Sequence, residues 1–414
     1  MIPEKRGMMT SAEPQDTKKT LRYFFSQPHQ PFFLAGIVWA VAAMLFFTLS
    51  YKGVLAPEIP LAFFHAYTML FIVFTPFLTG FIFTTFPRFC QSDVIGEKVY
   101  RQIFLLSQAG SVLFVAGAAG APPLLAAGML LLFLSHFRIV SRLQHIFETG
   151  MVSRFSSDPF WILTGFYFGL LAHLLFLVEG LTALAGSGAG LFPAAATSGL
   201  WMYLVFTVFS VGQRMVPFFS HVMTEKIPYF TATVFGGLLL KTAFALGGLL
   251  LMETAVTLLL ALYLGREMLR WNLPTFRSPA ILWVLHLALY WLPVSLLLGA
   301  FAGLGTLFGG FGGGFFELHL AAVGFVTTML IGFGTRVALG HSGQPPHADR
   351  FMIRLFWLVQ AVAVLRALYA LVFSAGWSAF WLFDAAAAAW MLLFFLWGWR
   401  FAPVLLWGKK LQQG

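Results

Sequence analysis

PAILWVLHLALYWLPVSLLLGAFAGL, residues 279–304, runs without one charged side chain. Crossing the hydrocarbon of a bilayer takes about 20 apolar residues of helix, because every backbone polar group must be satisfied within the segment. A barrel strand would alternate apolar and polar positions over about ten residues, and this run does not alternate. The spacing therefore predicts a spanning α-helix. Working outward, runs of the same kind lie at 32–50, 61–85, 102–120, 122–141, 160–183, 194–216, 228–246, 250–270, 314–338, 352–374 and 377–404. The fold expected is an all-α, polytopic transmembrane bundle of about twelve spans. Between the seventh and eighth runs only Gly247 and Gly248 signal a turn.

Composition agrees. Of 414 residues, 59% are apolar and 10% charged, against about a quarter charged in soluble domains. The formal charge of +10 is not a nucleic-acid footprint, because the basic residues sit in short loops between apolar runs. Every Lys and Arg except Lys52, Lys241 and Arg366 falls in the termini or the even-numbered loops. By the positive-inside rule those loops and both termini are cytoplasmic. Residues 1–30 read as a flexible cytoplasmic tail, 31–408 as one transmembrane domain and 409–414 as a short cytoplasmic tail. The polar start lacks a short apolar core, so no cleaved leader is expected. Cys90 is alone, which excludes a disulfide framework, a CxxC metal site and a CxxCH haem attachment. The loops GSGAG (186–190) and GGFGGG (309–314) are read as flexible connectors, and no repeat between the two halves is apparent.

Ionisable groups at membrane depth need a partner or a task. Arg366 and Asp384 stand at matching depths in the last two spans, as do Lys241 and Glu253 in spans seven and eight, so each couple is expected to form an ion pair. His65 and His319 each lie about one turn in from the outer face, on spans two and ten. Two imidazoles at one level suit axial haem ligation or two corners of a copper site; hydrogen bonding between helices is the alternative. His173 and His286 lie deeper. His29, His221 and His341 gather at the cytoplasmic ends of spans one, six and ten. Met69, four residues after His65, would share its helix face and offers a soft donor to copper. Arg214 in GQRMVPFF (212–219) and Arg336 in GTRVALGH (334–341) are either topology anchors or bidentate partners for an anion such as a haem propionate.

The segment LHLAAVGFVTTMLIGFGTRVALGHSGQP (318–345) resembles the NnrS family of membrane proteins linked to nitric oxide response. His319, Gly324, Met329, Arg336, Leu339, Gly340, His341 and Gly343 stand at the family's motif positions. HAYTMLFIVFTPFLTGFIFTTFPRF (65–89) resembles the family's HAHEM segment, with Tyr67 and Thr68 in place of its second His and its Glu. PHQPFFLAG (28–36), GQRMVPFF and LHLALYWLPVSLLLG (285–299) follow in order, so the likeness runs nearly end to end. The resemblance implies a bacterial inner-membrane protein holding haem b and copper and acting in tolerance of nitric oxide, a small gaseous ligand. It favours His65, His286, His319 and His341 as metal or cofactor contacts, with Arg214, Arg336 and Tyr67 nearby. It supplies no reaction. Two other functions fit the same residues: a haem or copper assembly factor for a respiratory-chain partner, and a secondary transporter working through Lys241 and Glu253.

Overall fold

The computed structural model describes residues 20, 22–152, 155, 157–222, 224–310 and 315–411. Most of the expected N-terminal tail, Arg154, most of GGFGGG and the last three residues lie outside these. The described chain is helical, without a strand. Twelve long helices follow one another: α1 His29–Tyr51, α2 Leu61–Cys90, α3 Glu97–Ala118, α4 Pro122–Thr149, α5 Asp158–Leu184, α6 Phe192–Phe219, α7 Phe230–Leu246, α8 Leu250–Trp271, α9 Ala280–Leu307, α10 Phe316–His341, α11 Arg350–Ser374 and α12 Phe380–Trp407. Ten are long and apolar enough to cross a membrane. The exceptions are α7, which is apolar but short, and α8, which carries Glu253, Arg266, Glu267 and Arg270. The turn expected between these two is there, with Gly248 at φ +67°, a left-handed conformation that glycine enters at no steric cost. In GSGAG, Gly186, Gly188 and Gly190 all take positive φ. Within the stretch assigned to the N-terminal tail, Phe25, His29 and Gln30 are buried, and the Tyr100 hydroxyl donates to the Phe25 carbonyl.

The helices fall into three successive sets of four, α1–α4, α5–α8 and α9–α12. The second member of each set is the innermost. Of their apolar windows 83% (α2), 78% (α6) and 72% (α10) is buried, against 61% or less in the other seven spanning candidates. Each of the three also widens into a π-helical segment, at Thr68–Phe74, Gly199–Val205 and Leu320–Thr327. A π turn leaves backbone carbonyls poorly placed for ordinary helical bonding, and such turns cluster at functional sites. Here threonines take up the slack. Thr75 donates to the Leu70 carbonyl at 2.8 Å, and Thr327 donates to the Ala322 carbonyl at 2.8 Å. Thr75 also meets the Tyr203 hydroxyl at 2.8 Å, joining α2 to α6.

Outer helices approach through small residues, the usual device where no hydrophobic force separates helix from lipid. A Cβ on Gly117 would lie 2.3 Å from the Leu125 nitrogen, and one on Gly128 would lie 2.4 Å from the Phe114 nitrogen. α3 and α4 are therefore in backbone contact.

Candidate functional site

In the first turns of α2 and α10, His65 and His319 come together. Their ring centres are 6.4 Å apart and their planes 23° from parallel. His319 Nδ1 lies 2.6 Å from the Phe315 carbonyl. A carbonyl can only accept, so Nδ1 carries the proton and Nε2 keeps its lone pair, the state a metal ligand needs. His65 Nδ1 is enclosed and has no hydrogen-bond partner, and its ring rests against Phe47, centres 4.4 Å apart. Both rings stay partly accessible although the helices around them are packed. The spacing admits one metal ion between imidazole nitrogens at the ~2.0–2.1 Å bonds usual for such ligands.

Arg366 completes this end. It stands within electrostatic reach of both imidazoles, with its Cζ 5.1 Å from the Tyr369 ring centre and Nη1 buried without a partner. The Tyr369 hydroxyl meets that of Tyr51 at 2.8 Å. The ion pair expected between Arg366 and Asp384 does not form. Asp384 instead holds Lys52 at 2.7 Å, at the exposed rim. Matching depth put both residues at one level but not on facing sides of their helices.

The other expected contacts do not join this pair. His341 sits at the opposite end of α10 against His29, ring centres 4.6 Å apart; His221, expected with them, is exposed. His286 is fully buried, and its Nε2 lies 2.7 Å from the Ser220 hydroxyl. Ser220 donates its own proton to the Val216 carbonyl, so His286 donates from Nε2, and its enclosed Nδ1 has a free lone pair. Arg214 is held by Asp158 at 2.8 Å, and the neighbouring Gln213 bonds both Asp158 and Lys226. Burial holds the Lys226 ammonium, in the loop before α7, below its ordinary pKa. Arg336 lies over the Phe219 ring, Cζ 3.9 Å from its centre, and forms no ion pair with a described residue.

A further histidine pair, not anticipated from the sequence, lies deeper. Tyr67 hydrogen-bonds His173 Nε2 at 2.8 Å, and His173 Nδ1 faces His136 Nδ1 at 3.2 Å. Phe71 stacks on His173, centres 3.9 Å apart and planes 15° from parallel. His136 Nε2 is buried without a partner beside a cavity of about 10 Å³ lined by Thr75, Thr79, Ser107 and Ser135, about the space of one water. The chain Tyr67–His173–His136 thus links α2, α5 and α4 and ends on a polar pocket. The signal for it was His136 itself, a titratable residue next to Ser135 inside an otherwise apolar run.

Among the described residues no three His, Cys, Asp or Glu side chains converge on one metal position. A family model describing NnrS proteins matches residues 23–408. The chain belongs to the NnrS family. No curated protein matches it. NnrS membership and ten apolar helices make this a polytopic membrane protein. Of the seven site residues read from the sequence, the structure brings together two, His65 and His319, and adds Arg366. Tyr67 belongs to the deeper pair, and His286, His341, Arg214 and Arg336 lie apart from both.

Proposed function

We propose that this NnrS protein spans the cytoplasmic membrane of a bacterium twelve times, with both ends inside, and binds a haem b iron between His65 and His319 to engage nitric oxide during nitrosative stress. The observation that carries this reading is the His65–His319 pair with an orphaned guanidinium beside it. Two near-parallel imidazoles, one with its tautomer set by Phe315, suit axial ligation. The unpartnered Arg366 Nη1 suits a haem propionate. The donor set therefore fits the group that the family resemblance implies. When bound, haem iron supplies affinity for a diatomic ligand if an axial position can open. What the chain itself contributes is orientation of His319 by the Phe315 carbonyl, packing of His65 by Phe47 and a positive charge at Arg366. Copper, the second implied cofactor, would find a two-imidazole donor set at His65–His319 and single free nitrogens at His136 and His286. The paired set suits the low coordination number of Cu(I).

The test is a visible spectrum with metal analysis on protein purified after haem-replete expression, for wild type, His65→Ala and His319→Ala. A Soret band that shifts with nitric oxide, and is lost in both variants, supports the reading. A colourless wild type, or unchanged pigment in both variants, overturns it. For topology, single cysteines at Ser187 and Ser278 in a Cys90→Ala background should be labelled by an impermeant thiol reagent from outside and inside respectively.

A second reading, transport, is favoured by one observation. Lys241, Glu253 and Glu317 line a cavity of about 160 Å³ in the outer half. Substrate flux in proteoliposomes, abolished by Lys241→Ala, would support it over gas binding.

A further inference from the structure

A polar cavity away from the paired histidines lies between α7, α8, α9 and α10. Lys241, 3% exposed, is bonded at 3.1 Å to Glu253 and at 3.0 Å to Glu317, and its ammonium lies 4.9 Å from the Trp201 ring centre. The sequence anticipated the Lys241–Glu253 pair but not its third member. With all three groups ionised, one negative charge is in surplus. Glu317 Oε1 is buried without a partner, and so is the Thr257 hydroxyl. Thr257 is 2% exposed and lines the cavity. Two unused oxygens thus border a space of about 160 Å³, on the order of ten water positions.

The space is built by glycine. A Cβ on Gly299 would lie 2.3 Å from Glu317 Cδ, and one on Gly303 would lie 2.3 Å from the Thr254 hydroxyl. The α9 backbone therefore makes way for the carboxylate and the hydroxyl, where any larger residue would push them aside. A surplus carboxylate charge at membrane depth draws a compensating positive charge. An anion is repelled. A divalent ion would need more free carboxylate oxygen than remains once Lys241 has taken its share. The hard oxygen donors that are left match a small, weakly polarising cation.

We propose that this outer cavity binds one monovalent alkali cation, held by the Glu317 and Glu253 carboxylates and the Thr257 hydroxyl, with Lys241 keeping the two carboxylates apart. The site uses none of the paired histidines, so it stands whether or not haem binds at His65 and His319. A ligand that binds only the folded state raises its stability with concentration. The experiment is therefore thermal unfolding of the full-length protein at fixed pH and ionic strength, with sodium or potassium chloride replacing choline chloride. A saturable rise of the unfolding midpoint with an alkali cation is expected. Thr257→Val keeps the side-chain volume, and Glu253→Gln keeps its shape; each should weaken the apparent affinity at least tenfold. His65→Ala should respond as wild type does. Midpoints that are equal in choline and alkali salts, that move with pH alone, or that respond to the cation unchanged in both site variants would overturn the proposal.

Discussion

His319 is fixed by the carbonyl of Phe315, one helical turn before it, through a 2.6 Å bond from Nδ1. That bond decides which nitrogen can serve a metal. Only Nε2 retains a lone pair, while His65 on α2 stands nearly parallel across the gap. His286, with its partner Ser220, and His341, tilted against His29, sit in different surroundings. Pigment is therefore expected to fall below a tenth of wild type in His65→Ala and in His319→Ala, and to persist in His286→Ala and His341→Ala. Absorbance per mole of protein at the Soret maximum checks this. Loss of pigment in all four variants alike would point to general instability rather than to ligation.

Arg366 is the next link. An unpaired guanidinium in a low-dielectric setting is costly unless an anion meets it, and its charge acts on both imidazoles. A positive charge beside a redox centre disfavours the more positive oxidised form. Arg366→Gln is therefore expected to lower the midpoint potential of bound haem, by roughly 59 mV if the effect is tenfold for one electron. Arg214→Gln, whose guanidinium is already neutralised by Asp158, should leave it within error. Redox titration with optical readout separates the two.

Which of these relations were legible in the sequence follows from what each depends on. Helix number follows from length and continuity of apolar runs, and all twelve helices lie where the runs do. Depth follows from counting residues, so His65 meets His319 and Lys241 meets Glu253. Azimuth does not follow from depth: Asp384 was level with Arg366 and turned toward Lys52 instead. The π turns leave no periodic mark in a segment that is apolar on every side. Glu317 was hidden because it sits at the mouth of a span rather than inside one. The threefold order was missed because the chain was compared as halves. Its traces are the prolines at the start of the first helix in each set, Pro31, Pro159 and Pro279, and the arginines near the end of the second, Arg88, Arg214 and Arg336.

The buried chain Tyr67–His173–His136 makes a prediction about stability. Tyr67→Phe removes one hydroxyl and leaves His173 Nε2 without a partner. Leaving a buried polar group unsatisfied costs about 1–3 kcal/mol. Because the two residues share one bond, the double variant Tyr67→Phe/His173→Phe should be less destabilised than the two single changes added together, with a coupling of about 0.5–3 kcal/mol. Reversible unfolding of the four proteins measures it. Strict additivity would mean that the 2.8 Å contact contributes nothing.

Close helix approach makes a second stability prediction. Gly117 and Gly128 bring the backbones of α3 and α4 into contact. Gly128→Val would place a branched side chain against the Phe114 nitrogen, and overpacking of this kind costs about 1–3 kcal/mol or more. Gly236 has open space at its Cβ position, so Gly236→Val should cost less, leaving chiefly the lower helix propensity of a β-branched residue against the gain from replacing glycine. Thermal midpoints of the two variants in one detergent give the comparison, and equal midpoints would contradict the close packing of α3 on α4.

Lys52 and Lys241 each hold an acidic partner, and their settings predict opposite sensitivities. The Lys52–Asp384 pair is 42% and 45% exposed. Water and salt screen such a pair, and its removal costs about 0–1 kcal/mol. Lys241 is 3% exposed and bridges two carboxylates. Its removal would leave Glu253 and Glu317 facing each other across the cavity they line, and breaking a buried pair from one side costs about 3–5 kcal/mol. Lys52→Ala should therefore unfold close to wild type, and Lys241→Met well below it. Adding Glu317→Gln to Lys241→Met should restore part of the loss, because it removes the repulsion that the first change created. A Lys241→Met protein as stable as Lys52→Ala would mean that the cavity neutralises its carboxylates by other means, with protons the first candidate.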